Sequence, residues 1–385
     1  MLGILGQLLT VGAHAIGMAT HATPAMQDDA LTEGYLTQPA LMADALFGPF
    51  QLSTMLNFEG LTLERGELNA GVWGEGYADR RHPHTYLHEA VITYQATLAG
   101  GGLSLSAGRG FAPFGTDDPM VRPFVKYPAN HHLSQILERL LVAAAVRYGP
   151  VMGEAGWFAG AEPVDPEDLG DVDKIGDSWS ARVTLLPLDW LELQTSYAEV
   201  KSPENVFGGG LDHEMWNASA RLSRTFGNTQ VYGLLEAGRT SEGRNGVEAF
   251  AFATVLAEAS ARRGAWLAAL RFERTQRPEE ERRADPFRTV RPATDNSILG
   301  VTRWTTGSLH VERTSQLGSL QLRPFLEVSR LHARAMEEFP VVDPATLYGS
   351  ARMWSFSAGI RSTLGSWHAR MGRYGAARGP STHHH

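Results

Sequence analysis

The sequence predicts an all-β fold, a transmembrane antiparallel up-and-down β-barrel of about 14 strands, with roughly 12 to 16 open. Three observations predict it. From residue 49 onward apolar and polar residues alternate with a period of two. Many of the alternating segments run to about ten residues, the length a strand needs to cross a bilayer, where strands of soluble domains average about five or six. The connections alternate between tight turns and long polar stretches, as in barrels with short periplasmic turns and long external loops.

The alternation is clearest in the middle of the chain. In "SWSARVTLL" Trp179, Ala181, Val183 and Leu185 share one face and Ser178, Ser180, Arg182 and Thr184 the other. "WLELQTSY" sets Leu191, Leu193, Thr195 and Tyr197 against Glu192, Gln194 and Ser196. "MWNASARLS" and "MWSFSAGIR" repeat the pattern around Arg221 and Arg361. Aromatic residues sit near the ends of the apolar faces (Trp157, Trp179, Trp190, Trp216, Trp266, Trp304 and Trp354), as interfacial girdles do. Charges lie deep inside the polar faces. A soluble sandwich turns its polar face to water outside, whereas a transmembrane barrel turns it to the lumen.

In chain order the expected strands are 49–60, 86–98, 102–111, 137–148, 150–160, 178–187, 189–200, 212–226, 229–239, 247–260, 264–275, 296–306, 319–333 and 351–364. Segments 36–47 and 366–374 could supply two more. Tight turns are expected near 100–102, 149–150, 187–189, 227–228 and 262–264. Long loops are expected over 60–86, 112–134, 161–177, 200–212, 240–247, 276–295 and 335–350. "NHHLSQILERLL" (130–141) has helical spacing and reads as a short loop helix or as the start of a strand.

Composition narrows the function. The 385 residues include no cysteine, so thiolate metal sites, cysteine nucleophiles and disulfides are excluded. A net charge of −8, from 34 basic and 42 acidic residues, argues against a nucleic-acid partner. Residues 1–22 are apolar and uncharged and end near A-x-A-like cleavage patterns, so an export signal is expected there, with a structured amphipathic segment as the alternative. Residues 23–48 follow as an N-terminal segment, 49–375 as the barrel and 376–385 as a tail. No other apolar run is long enough for a membrane helix. The expected location is the outer membrane.

Two constellations bear on chemistry. Lumen-facing charges of both signs, Arg182, Glu192, Arg221, Glu236, Arg271, Glu273, Glu327 and Arg361, are expected to set a transverse field across a pore or constriction. The histidines His82, His84 and His88 of "YADRRHPHTYLHE", with His131 and His132 of the next long loop, flank one hairpin. No cofactor is expected, with a transition metal, which imidazoles suit, as the second reading of this cluster. The first reading is that these side chains satisfy the backbone of a packed loop. His88 is expected to enter the strand, pointing with Tyr86, Ala90 and Ile92 or lying close to the membrane rim. The leading function is a porin-like channel or binding barrel for small polar or charged solutes. A metal-handling barrel is the second reading and a lipid-acting barrel enzyme the third, although no catalytic residues stand out. Ser134 and His132 lie two apart but lack the continuation that outer-membrane phospholipases carry.

The stretch "GYADRRHPHTYLHEAVITY" resembles a little-characterised family of bacterial outer-membrane β-barrels with a strand-leading D-R-[QR]-H-P-H motif. The match falls on Asp79, Arg80, His82, Pro83, His84 and Glu89, with Arg81 where glutamine is commoner. Further similar stretches run from "EGLTLERGE" (59–67) to "HARMGRYG" (368–375). The resemblance implies an exported barrel, with outer-membrane lipids and the barrel-assembly machinery as partners, and no established activity. Typical barrels end on an aromatic residue; here Tyr374 is followed by "GAARGPSTHHH".

Overall fold

The structure is a computed structural model that describes residues 9–26, 29–63, 67–68, 70, 84–205, 208–280, 298–336, 343–366 and 370–378. Its strands are β1 (Leu9–Met26), β2 (Asp29–Phe47), β3 (Phe50–Asn57), β4 (Leu87–Leu98), β5 (Gly101–Gly110), β6 (Arg139–Tyr148), β7 (Val151–Phe158), β8 (Ser178–Leu188) and β9 (Leu191–Val200). They continue as β10 (Asp212–Phe226), β11 (Thr229–Arg244), β12 (Val247–Arg263), β13 (Trp266–Glu280), β14 (Ile298–Arg313), β15 (Ser315–Leu317), β16 (Leu320–Ala335) and β17 (Arg352–Gly365). Each pairs antiparallel with its neighbours in sequence, and β1 pairs with β17 to close the sheet. The three-residue β15 prolongs β14, since both pair with β16, so 17 described strands make a 16-strand wall.

Sixteen strands replace the expected 14 or so. Both additions are N-terminal. β1 occupies most of the stretch read as an export signal, and β2 spans the expected N-terminal segment, so the wall begins at Leu9 rather than at residue 49. The misreading has a physical cause. The lumen face of β1 carries Gly12, His14, Ile16, Met18, Thr20 and Ala22, without one charge, so its alternation resembles a uniform apolar leader. Ile16 and Met18 can face inward because Val125 and Phe325 pack on them there. The added strands form one hairpin, so the start of β1 and the end of β17 stay on the rim of the tight turns.

That rim is made of two-residue connections. Gly227 and Gly264 open two of them with positive φ, +57° in each case, a conformation that glycine adopts without strain. On the opposite rim most connections are long. Two are short: β1 and β2 are separated by two residues, and at 240–247, expected as a loop, β11 and β12 run on to a tight turn at Asn245–Gly246. Around 130–141 the chain makes a single 3-10 turn, His131–Ser134, before β6 begins at Arg139. Two short helices, α1 (Glu59–Thr62) and α2 (Pro344–Tyr348), lie in long-rim connections. No helix among the described residues is long and apolar enough to cross a membrane.

The faces are inverted relative to a soluble protein. Leu235, Val255 and Leu270 are about three-fifths exposed on the outside, while Arg182, Glu236, Arg271 and Glu327 are buried inside. Trp157, Trp179, Trp216, Trp266 and Trp354 all face outward. Trp304, expected in that belt, is instead fully buried inside. The Arg277 guanidinium lies 4.0 Å from its ring centroid, and its indole N–H donates to Thr302 Oγ1 at 2.9 Å. A run of alternation identifies two faces but not which of them carries a given aromatic residue when the lumen is itself packed.

Candidate functional site: a lumen filled by the chain's own segments

The connection from β5 to β6 does not stay at the rim. Residues 111–138 turn into the barrel and are almost wholly buried. Pro113, Pro119, Pro123 and Pro128 prevent this stretch from extending either strand. Its backbone groups therefore need partners other than a strand ladder, and charged wall residues supply them. Glu327 accepts from the N–H groups of Val125 (2.9 Å) and Lys126 (3.1 Å), and Glu273 from that of Ala129 (3.1 Å). Arg271 donates to the carbonyl of Lys126 at 2.7 Å, Arg361 to that of Phe124 at 3.1 Å, and Arg182 to those of Phe114 and Gly115. Glu236 holds the segment through Arg122, at 3.0 Å. Burial alone would lower the pKa of Arg122; the Glu236 and Glu258 carboxylates overcome it and raise it.

The second occupant is the segment after β17. Residues 370–378 re-enter the lumen, with Met371, Arg373, Tyr374 and Ala377 buried. Arg370 Nε donates to Asp117 at 2.7 Å, and its two terminal nitrogens donate to the two oxygens of Glu192 at 2.6 and 2.9 Å. Arg373 donates to Glu192 at 3.1 Å and to Thr184 at 3.0 Å. Arg221 reaches Glu192 at 3.3 Å and Asp117 at 3.7 Å. Arg182, paired bidentately with Glu154 at 2.6 and 2.7 Å, also donates to the carbonyl of Gly372. The Tyr374 hydroxyl accepts from the N–H of Phe111 at 3.0 Å, so the two inner segments also hold each other.

The eight charges expected in the lumen are thus all on the wall's inner side, and each contacts an inner segment or a residue of one. They bind peptide groups and charged side chains of this chain. The sequence singles out Glu154 as a charge deep in a polar face and Asp117 and Arg122 in the long polar loop, but does not pair them with these eight, and it passes over Glu258, Arg370 and Arg373. No local signal marks the pairings, because these contacts lie far along the chain.

The histidines do not all converge. Asp79, Arg80, His82 and Pro83 lie outside the described residues. His84 Nδ1 meets Glu59 Oε2 at 3.0 Å, and His88 forms a short hydrogen bond with Glu138, whose other oxygen lies 3.8 Å from Arg109. Burial opposes the charge on His84, but the hydrogen bond to Glu59 and the charge of Glu138 outweigh it and raise its pKa to about 9. The Glu59 and Glu138 carboxyls are correspondingly held below their usual range: burial acts against this, and the bond from His84 and the charge of His88 overcome it. Donor atoms of His84, His88 and Glu138 lie within 4.8 Å of one another. His131 and His132 form a separate tilted pair, with ring centroids 4.3 Å apart and Tyr127 beside His131 at 5.3 Å. His88 faces inward and not with Ile92. A register shift between Met55 and Leu56 lets both His88 and Glu89 point into the barrel, while Ile92 stays outside. Ser134 is buried in the lumen, far from a lipid-facing position.

No protein-family model matches the chain, and no curated protein sequence matches it. Solved structures do. The anion-selective porin from Comamonas acidovorans aligns over 92% of this chain and 99% of its own, with a TM-score of 0.51 and 13% identity. A loop L8 deletion mutant of OmpT, an outer membrane protein of Vibrio cholerae, aligns over 92% and 99%, with a TM-score of 0.50 and 10% identity. The fold is therefore that of the bacterial outer-membrane porin barrels, with 16 strands in the wall.

Proposed function

We propose that the chain is a porin-like outer-membrane barrel that passes or binds small polar or charged solutes, with residues 111–138 as its constriction. One observation carries this reading: a polar, charged inner wall holds an inward-folded segment at the level of the apolar belt. A barrel that served only as a membrane anchor would have no need of buried carboxylates and guanidiniums at that depth, where each costs desolvation. The resemblance through the D-R-[QR]-H-P-H stretch belongs to the same proposal, as do outer-membrane lipids and the barrel-assembly machinery as partners. Because the described lumen is filled, the full-length protein is expected to give a small or intermittent current after refolding into a planar bilayer. A bilayer that stays silent under every applied voltage and salt gradient, with folded protein present, rules the channel reading out.

A transition-metal site is the second reading, favoured by the grouping of His84, His88 and Glu138. His84 bonds Glu59, a carboxylate outside the group, through Nδ1, the arrangement in which a metal-binding histidine is commonly oriented. Zinc titrated into protein lacking residues 383–385 is expected to bind at one site and to lose at least about tenfold in affinity with His88→Ala. Unchanged binding in that variant removes this reading.

A further inference from the structure

We propose that Asp117 and Glu192 form a binding site in the lumen for guanidinium-bearing cationic solutes, and that Arg370 of the C-terminal segment is its built-in occupant. The inference rests on the porin-like reading above and names a solute class for it. The geometry is that of a receptor. Asp117 takes the Nε side of the guanidinium at 2.7 Å while Glu192 takes the outer edge through both oxygens, at 2.6 and 2.9 Å. A planar fork of donors thus meets a fork of acceptors, a match that a lysine ammonium cannot reproduce. Both carboxylates are buried. Burial pushes the Asp117 carboxyl up, but Arg370 and Arg221 hold it below its usual range.

The charge balance gives the class of solute. With the segment in place, Arg370 and Arg373 face Asp117 and Glu192, and Arg221 flanks both acids. When the segment leaves, two carboxylates remain against the single guanidinium of Arg221, because Arg182 is already committed to Glu154. The vacated position is net negative and shaped for a guanidinium. The occupant is held by side-chain packing and single hydrogen bonds, not by a strand ladder, and so can leave without unmaking the wall: Met371 packs among Ala40, Met42 and Met55, the N–H of Ala376 donates to Ser104 Oγ at 3.0 Å, and Arg378 donates to Ser53 at 2.9 Å. It adds no strand to the sheet. The arrangement is one of competition, in which a tethered arginine holds the site until a free cation displaces it, at an effective concentration set by the tether.

The test uses the full chain with Arg370→Ala and Arg373→Ala, and Arg370→Gln with Arg373→Gln as a second, less truncated pair. L-arginine amide is the probe, by isothermal titration and as a blocker of current in planar bilayers. The emptied site is expected to bind it at least about tenfold more tightly than wild type does, and adding Glu192→Gln is expected to abolish the gain. A tether gives an independent arm. A Cβ placed on Gly102 lies 3.7 Å from that of Ala376, within the range of a disulfide, and the chain has no other cysteine. In the Gln pair, Gly102→Cys with Ala376→Cys is expected to lower both binding and current when oxidised and to restore them on reduction. Equal binding in wild type and in both arginine pairs, or a gain that survives Glu192→Gln, overturns the site while leaving the channel reading intact. Binding with the expected pattern in a barrel that passes no current sustains the site and removes the channel reading.

Discussion

Glu236→Ala is expected to destabilise the folded barrel by about 3–5 kcal/mol, the range for removing one partner of a buried ion pair. The side chains of Arg122 and Glu236 are almost wholly shielded, at 0% and 1% exposure, and their nitrogen and oxygen are 3.0 Å apart. Arg122 has few alternatives. Its Nε donates to the carbonyl of Asp117, and its second terminal nitrogen lies 3.9 Å from Glu258, which already accepts from Arg271 at 2.7 Å. Glu236 also accepts from Asn217 at 2.9 Å, and Asn217 in turn donates to the carbonyl of Leu133. The alanine variant therefore leaves a charge in the lumen without its carboxylate and loosens the inner segment at two places. Urea unfolding in lipid vesicles, followed by tryptophan fluorescence, measures the loss. Adding Arg122→Met is expected to recover most of it, since the unpaired charge and not the missing contact is the main cost. A loss below about 1 kcal/mol, typical of an exposed pair, would mean that this ion pair does not hold the segment.

The wall was legible in the sequence and its contents were not, for a physical reason. Strand alternation is local: Trp179, Ala181 and Val183 face lipid because residues two apart share a face, and no distant partner is needed to see it. The contacts that fill the lumen depend on the closed ring. Arg122 and Glu236 are 114 positions apart, and Arg370 and Glu192 are 178 apart, so nothing in either neighbourhood announces the other. Glu138 illustrates the limit. It is a single acid at the end of a proline-rich loop, yet it partners His88 and replaces His131 and His132 in the group that can share one ion. β1 was missed for the opposite reason. Its inner face meets apolar groups, Val125 of the inner segment and Phe325 of the wall, so the polar half of the alternation, which identified the strands from residue 49 onward, is weak there.

Leu235→Arg is expected to cost about 2–4 kcal/mol, the penalty for arginine on the lipid face of a barrel near mid-membrane. In a water-soluble barrel the same change at an exposed leucine would fall within about 0.5 kcal/mol. The register places Leu235 in an unbroken apolar row across adjacent strands: Leu185, Leu193, Ala220, Leu235, Ala257 and Phe272. Leu235 is 61% exposed and Phe272 54%, so the row lies open to the surroundings and contains no carboxylate for an arginine to meet. The guanidinium must either thin the bilayer around it or snorkel along the wall to a rim. Val231→Arg provides the depth control, being on the same face four residues nearer the Gly227 turn, where the expected cost falls to about 0–1 kcal/mol. Refolding into vesicles with urea midpoints compares the two. A cost that does not depend on depth, or a near-neutral effect at both positions, would mean that the outward face is not solvated by lipid; a gradient between them requires the apolar belt to lie in hydrocarbon, and with it the charged face to enclose the lumen.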